Sequence, residues 1–184
     1  MGVVAALPGW ACSREPAQKP LDILILGGTG FIGPHEINYA LSRGHKVTMF
    51  NRGKTAPGMF PNVERLIGDR DGDLDALKGR DWDAVIDNSG FYPRHARLSA
   101  ELLNGHVGTY MFVSSISAYD GDSLTVDDDE FSGAYGTMDD PSDESEGPYG
   151  PNYGPRKAYC EQEVTKVFGD NAINCLLYTS PSPR

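Results

Sequence analysis

The chain has 184 residues and a formal net charge of -10, a length that supports one domain with a sizeable core. No run approaches the ~18 to 20 apolar residues of a membrane span. Of the 26 acids, 11 lie between Asp120 and Glu146, and outside that segment 15 acids face 16 bases, so the body is near neutral and lacks the basic patch that a nucleic-acid surface needs.

Residues 1–20 read as a disordered leader, or as the tail of an export signal whose small-residue run ends at Ala11-Cys12. Leu21 to Leu26 is an apolar run that stops in a glycine turn, the pattern of a buried parallel strand feeding a helix. Gly27, Gly30 and Gly33 fall at the spacing G-x-x-G-x-x-G. The first permits a tight turn, the second lets backbone approach a pyrophosphate, and the third lets helix pack on strand. The backbone N–H groups from Gly30 through Phe31 to Ile32 are expected to face the phosphates at the positive end of the helix dipole.

A helix is predicted from Phe31 to Arg43, closed by Gly44, and a second strand from His45 to Asn51. Asn51, Arg52 and Lys54 follow where the adenosine ribose would arrive. An NAD enzyme usually carries an acid there, whereas Asn and two cations suit a 2'-phosphate, so NADP is favoured over NAD. A solvated basic turn is the plainer alternative. Val63 to Gly68 reads as a third strand, followed by the acid-rich Asp69 to Asp75. Its glycine is misplaced for a calcium loop and the terminal Glu is missing. Asp73 is expected to cap a short helix through Lys78, and Asp69, at a strand end, to reach the adenine.

Trp82 to Asp87 is a predicted fourth strand, Pro93 to Asn104 a helix opened by proline, and Thr109 to Ser114 a fifth strand. This alternation implies an α/β fold, a doubly wound parallel sheet with right-handed crossovers. Ligands bind at the carboxyl ends of such strands, where Asn88-Ser89-Gly90 and Ser114-Ser115 emerge. The acidic stretch from Ser117 to Pro151 reads as a long functional or mobile loop. Tyr153 to Val167 then reads as a helix on which Tyr153 and Lys157, four apart, share one face near the start. Cys12, Cys160 and Cys175 make neither a disulfide framework nor a zinc pattern, and His35, His45, His95 and His106 have no ligand spacing, so no metal is expected.

With the glycine turn, the Ser114-Ser115 strand end and Tyr153-x-x-x-Lys157 in order, the chain resembles the extended short-chain dehydrogenase/reductases and, within them, the NAD-dependent epimerase/dehydratase group. The likeness runs from about Leu21 to Asn174. It implies a Rossmann-like dinucleotide-binding domain and a Ser-Tyr-Lys triad. The family's Ser lies four residues before a Tyr, so Tyr119 picks out Ser115. The resemblance implies Tyr153 as acid/base and Lys157 bonded to the nicotinamide ribose. A free phenol has a pKa near ~10, and the Lys157 charge is expected to lower it. Ser115 is expected to hold the substrate oxygen.

The implied activity is hydride transfer on a sugar or nucleotide-sugar, as an epimerase, dehydratase or reductase, with cytoplasmic localisation unless the leader is an export remnant and with homodimerisation left open. Asp87-Asn88-Ser89-Gly90 departs from the family's usual end to the fourth strand. The wording around Arg52 and Asp69 resembles a subgroup that includes chloroplast stem-loop RNA-binding proteins, so an RNA-binding or regulatory protein is the rival. Cys175 to Arg184 matches the translation of a transposon sequencing adapter. The domain is therefore expected to be natural only to residue 174, with the family's C-terminal substrate domain missing.

Overall fold

The computed structural model describes residues 19–123, 125–127 and 130–177. The expected leader, apart from its last two residues, and the end of the adapter-like tail lie outside them. The first strand, β1 (Asp22–Leu26), is flanked in the sheet by β2 (Lys46–Asn51) and β4 (Trp82–Asp87). Beyond them lie β3 (Glu64–Ile67) on one side, and β5 (Val107–Ser115) and β8 (Ala172–Leu177) on the other. The order is β3-β2-β1-β4-β5-β8, and every pairing is parallel. A separate antiparallel pair, β6 (Thr125–Asp127) and β7 (Glu130–Ser132), lies within the long acidic stretch.

β1 is apolar on both faces because helices cover both. Ile23 and Ile25 pack with Val47, Met49, and Ile37 and Ala40 of α1 (Gly33–Ser42). Leu24 and Leu26 enter the larger core, with Leu103 of α2 (Pro93–Leu103) and Val164 and Phe168 of α3 (Tyr153–Phe168). Register then sets where a ligand can sit. Leu26 is level with Phe50 and with Asp87, and Asp87 with Phe112. The chain therefore leaves β1, β2 and β4 at one height, along one edge of the sheet.

Most element bounds differ from the sequence reading by a residue or two, and some departures have a physical cause. α1 starts at Gly33, two residues late, because Phe31 holds a left-handed backbone (φ 51) that a helix cannot include. Asp73 caps no helix. Its carbonyl instead accepts from Asp69 N at 2.9 Å, and the residues beyond form only a 3-10 turn, Asp75–Leu77. The stretch read as a loop from Ser117 contains a 3-10 turn, Ile116–Ala118, as well as the small hairpin. Finally, β8 continues across the expected boundary at residue 174, with Cys175, Leu176 and Leu177 paired to Val113, Ser114 and Ser115. Among the described residues, no helix is long and apolar enough to cross a membrane.

Candidate active site

The glycine turn is held by a close approach that only glycine permits. A Cβ on Gly33 would lie 2.6 Å from the Gly28 Cα, so the first turn of α1 rests directly on backbone. Beside it, the strand ends enclose a cavity of about 440 Å³, within the size range of small-molecule sites. Gly27, Asn51, Arg52, Lys54 and Asp69, all singled out from the sequence, line it. Gly30, Phe31, Ile32 and Gly33 do not. They form the turn and helix start at its edge, with Phe31 84% exposed and open space where a Gly30 side chain would project.

Asn51 is committed to the protein. Its Nδ2 donates to Gly27 O at 3.0 Å and its Oδ1 accepts from Gly53 N at 2.9 Å, so it ties the two turns together. Arg52 and Lys54 are exposed on the rim. Asp69 is half-buried, its backbone N–H bonded to Asp73 O and its Oδ1 accepting from Asp71 N.

The proposed catalytic groups gather at the next strand ends. Ser115 closes β5, and its Oγ accepts from Ser117 N at 3.2 Å. Gly154 lets α3 come down onto this corner: a Cβ there would lie 2.0 Å from Ser117 O. Tyr153, the first residue of α3, is thereby brought to the corner that Ser115 occupies. Burial raises the Tyr153 phenol above its ordinary value, against the opposing effect of Ser115.

Lys157, four residues on, reaches inward. It is buried, and its Nζ donates to Gly90 O at 3.0 Å and Val113 O at 2.5 Å, 4.1 Å from the centre of the Phe112 ring. Burial holds this ammonium below the usual lysine value. Its ammonium is turned into the sheet and engaged by these two carbonyls. The corner and the cavity are joined by aromatic contacts, since Phe91 lines the cavity and meets Tyr149 edge-on at 5.2 Å, and Tyr149 stacks on Tyr153 at 6.0 Å.

Sequence reasoning missed a buried polar cluster behind the cavity wall. Arg70 lines the cavity and donates to both oxygens of Asp87, which also accepts from Tyr110 OH at 2.7 Å. Burial opposes the charge on Asp87, but the Arg70 charge and the hydrogen bonds outweigh it, and the carboxyl lies below its ordinary value. An Asp closing the apolar run Ala84-Val85-Ile86 of a central strand demands a buried cation, and that demand was the available signal.

Residues 23–179 match the model of the NAD dependent epimerase/dehydratase family. No curated protein matches. Among solved structures, a UDP-galactose 4-epimerase is 20% identical, with a TM-score of 0.58 over 83% of this chain and 54% of its own. MoeE5 in complex with UDP-glucose and NAD is 20% identical, with a TM-score of 0.54 over 84% and 52%. The Bordetella bronchiseptica enzyme WbmG in complex with NAD is 16% identical, with a TM-score of 0.57 over 84% and 52%. The likeness is one of fold, and the chain spans about half the length of these proteins.

The expected preference for NADP is corrected by these findings. The dinucleotide in the MoeE5 and WbmG complexes is NAD. The physical reason is that Arg52 and Lys54 are solvated at the rim, where charge is screened and not fixed in place.

Proposed function

Because the chain belongs to the NAD dependent epimerase/dehydratase family, we propose that it is the cofactor half of an NAD-dependent enzyme acting on a sugar or nucleotide-sugar. The observation that carries the reading is the adjacency of two features: a cavity over the ends of β1 to β4, and the Ser115–Tyr153 corner that meets it through Phe91 and Tyr149. The residues present fit a dinucleotide. The α1 turn offers backbone N–H groups with open space beside Gly30, and Asp69 on the cavity wall offers a carboxylate to an adenine amino group.

NAD, when bound, supplies the hydride acceptor. Tyr153 exchanges the proton of the substrate hydroxyl, and Ser115 donates a hydrogen bond to the same oxygen and fixes its approach. Lys157 holds the carbonyls of Gly90 and Val113, and so the loop after β4 that carries Phe91. UDP-sugars are the first substrates to try, because UDP-glucose accompanies NAD in the MoeE5 complex. The acidic Asp139 to Glu146 segment, with Glu144 joined to Arg94 of α2, argues against an RNA surface. Calorimetric titration of the full-length protein with NAD, followed by turnover assays on a UDP-sugar panel, tests the reading. NAD binding with epimerised, dehydrated or reduced product is expected, and a protein that binds no NAD overturns it.

A further inference from the structure

Among the described residues the Arg70–Asp87 pair is the buried ion pair with the most hydrogen bonds, and the family reading gives it no task. Arg70 is 8% exposed and Asp87 fully buried. One terminal nitrogen of Arg70 donates to Asp87 Oδ1 and to Ser89 Oγ at 3.3 Å. The other donates to Asp87 Oδ2 at 2.8 Å, His95 O at 3.1 Å and Ser99 Oγ at 2.7 Å. One guanidinium thus joins the turn after β3, the end of β4 and the first turns of α2. Burying two charges costs several kcal/mol per ion, and apolar replacements are often as stable. Stability alone therefore gives no reason for the pair to sit here.

Its position gives one. Arg70, Ser89 and His95 all line the cavity, and all three are held by this cluster. Ser89 is fixed further, its N–H donating to Asp87 Oδ1 at 3.1 Å and its Oγ to Leu26 O at 3.2 Å. It stands 3.4 Å from where a Gly27 side chain would begin, so the cluster also braces the glycine turn. Asp69 precedes Arg70 in the chain and lies on the same wall.

We propose that Arg70 and Asp87 are positioning residues for the adenosine half of a dinucleotide, setting Asp69, Ser89 and His95 around it without bearing on the nicotinamide half. The inference rests on the dinucleotide reading above. It predicts that adenosine fragments sense the pair and nicotinamide fragments do not.

The test is Arg70→Met with Asp87→Asn in the full-length protein, a change that removes both charges while keeping volume and an acceptor for Tyr110. Binding of 5'-AMP, nicotinamide mononucleotide and NAD is measured by calorimetry and saturation-transfer NMR, well below the variant's melting temperature. The expected result is a loss of about tenfold or more in affinity for AMP, the same factor for NAD, and an unchanged nicotinamide mononucleotide signal. A pair with a purely structural role would lower the melting temperature and leave AMP affinity of the folded protein intact, and that result overturns the inference. An equal loss for both fragments overturns it too. If the double variant does not fold, Arg70→Lys, which keeps the charge and loses the fork, is read by the same split between fragments. Wild-type protein that binds neither NAD nor AMP defeats the dinucleotide reading itself, and the inference with it. Wild-type binding with no fragment split defeats the inference alone.

Discussion

The glycine turn separates two kinds of necessity, which substitution can tell apart. At Gly33 a new Cβ would lie 2.6 Å from the Gly28 Cα and 2.8 Å from its carbonyl carbon. Backbone cannot swing aside as a side chain can, so α1 must shift. Overpacking of this kind costs ~1–3 kcal/mol, and at about 2–4 °C per kcal/mol for a chain of this size Gly33→Ala should melt roughly 2–12 °C lower. At Gly30 a Cβ meets nothing within 4 Å. Gly30→Ala should therefore be neutral, or stabilising by ~0.4–1 kcal/mol through the unfolded chain. Gly30→Val should likewise fold, but its side chain fills the place assigned to the pyrophosphate. The assay is thermal unfolding with and without NAD at about 100 times the wild-type Kd, where ligand stabilises by ~2.7 kcal/mol. A tenfold weaker Gly30→Val retains about half of that. An unchanged NAD shift in Gly30→Val would refute the phosphate site, and an unchanged melting temperature in Gly33→Ala would refute the packing argument.

Tyr153→Phe should abolish turnover in the full-length protein while NAD affinity measured by calorimetry stays within about twofold, since the ring remains and the cavity lies elsewhere; a variant that still turns over removes Tyr153 from the chemistry. Glu161, 1% exposed and bonded to Ser114 and Tyr135, has its carboxyl raised above 4.5 by burial, against those hydrogen bonds. Between 4.5 and that raised value the native state holds more protons than the unfolded one, so this group's contribution to stability falls as pH rises through the window. Denaturant melts across that range should show Glu161→Gln with a flatter pH dependence than wild type, and parallel curves would disprove the assignment. Cys160 is fully buried, and burial pushes its thiol up to about 12, so iodoacetamide at neutral pH should leave it unmodified in the native protein, as read by peptide mass spectrometry, and modify it after denaturation.

The parallel sheet was legible because its strands carry no ambiguity of period. β1 is apolar on both faces and ends in glycine, and β4 was read with its observed bounds, Trp82 to Asp87. What escaped were places where one backbone angle or a distant partner decides. Phe31 takes a left-handed φ that no propensity for phenylalanine announces, and so the helix begins late. β8, Ala172 to Leu177, was not read as a strand at all, because the residues from Cys175 on were judged by their wording. A parallel sheet edge judges by shape and hydropathy, and these residues extend the ladder beside Val113 to Ser115.

At the site the same division holds between what spacing can state and what reach decides. Tyr153 and Lys157 share a helix face as their spacing requires, yet a face is not a contact. The lysine stem is long enough to carry its ammonium to the Val113 carbonyl on β5, the Gly90 carbonyl beyond the end of β4, and the Phe112 ring. Arg70 was hidden for the opposite reason. Set among Asp69, Asp71, Asp73 and Asp75 it drew no reading of its own, while its partner lies 17 residues on, at the end of another strand. A carboxylate that closes an apolar strand must find a cation or stay protonated, and the cation here comes from a neighbouring cavity wall. The pair holds Ser89 and the lysine holds Gly90, so the cavity and the Tyr153 corner are both tied to the chain that leaves β4.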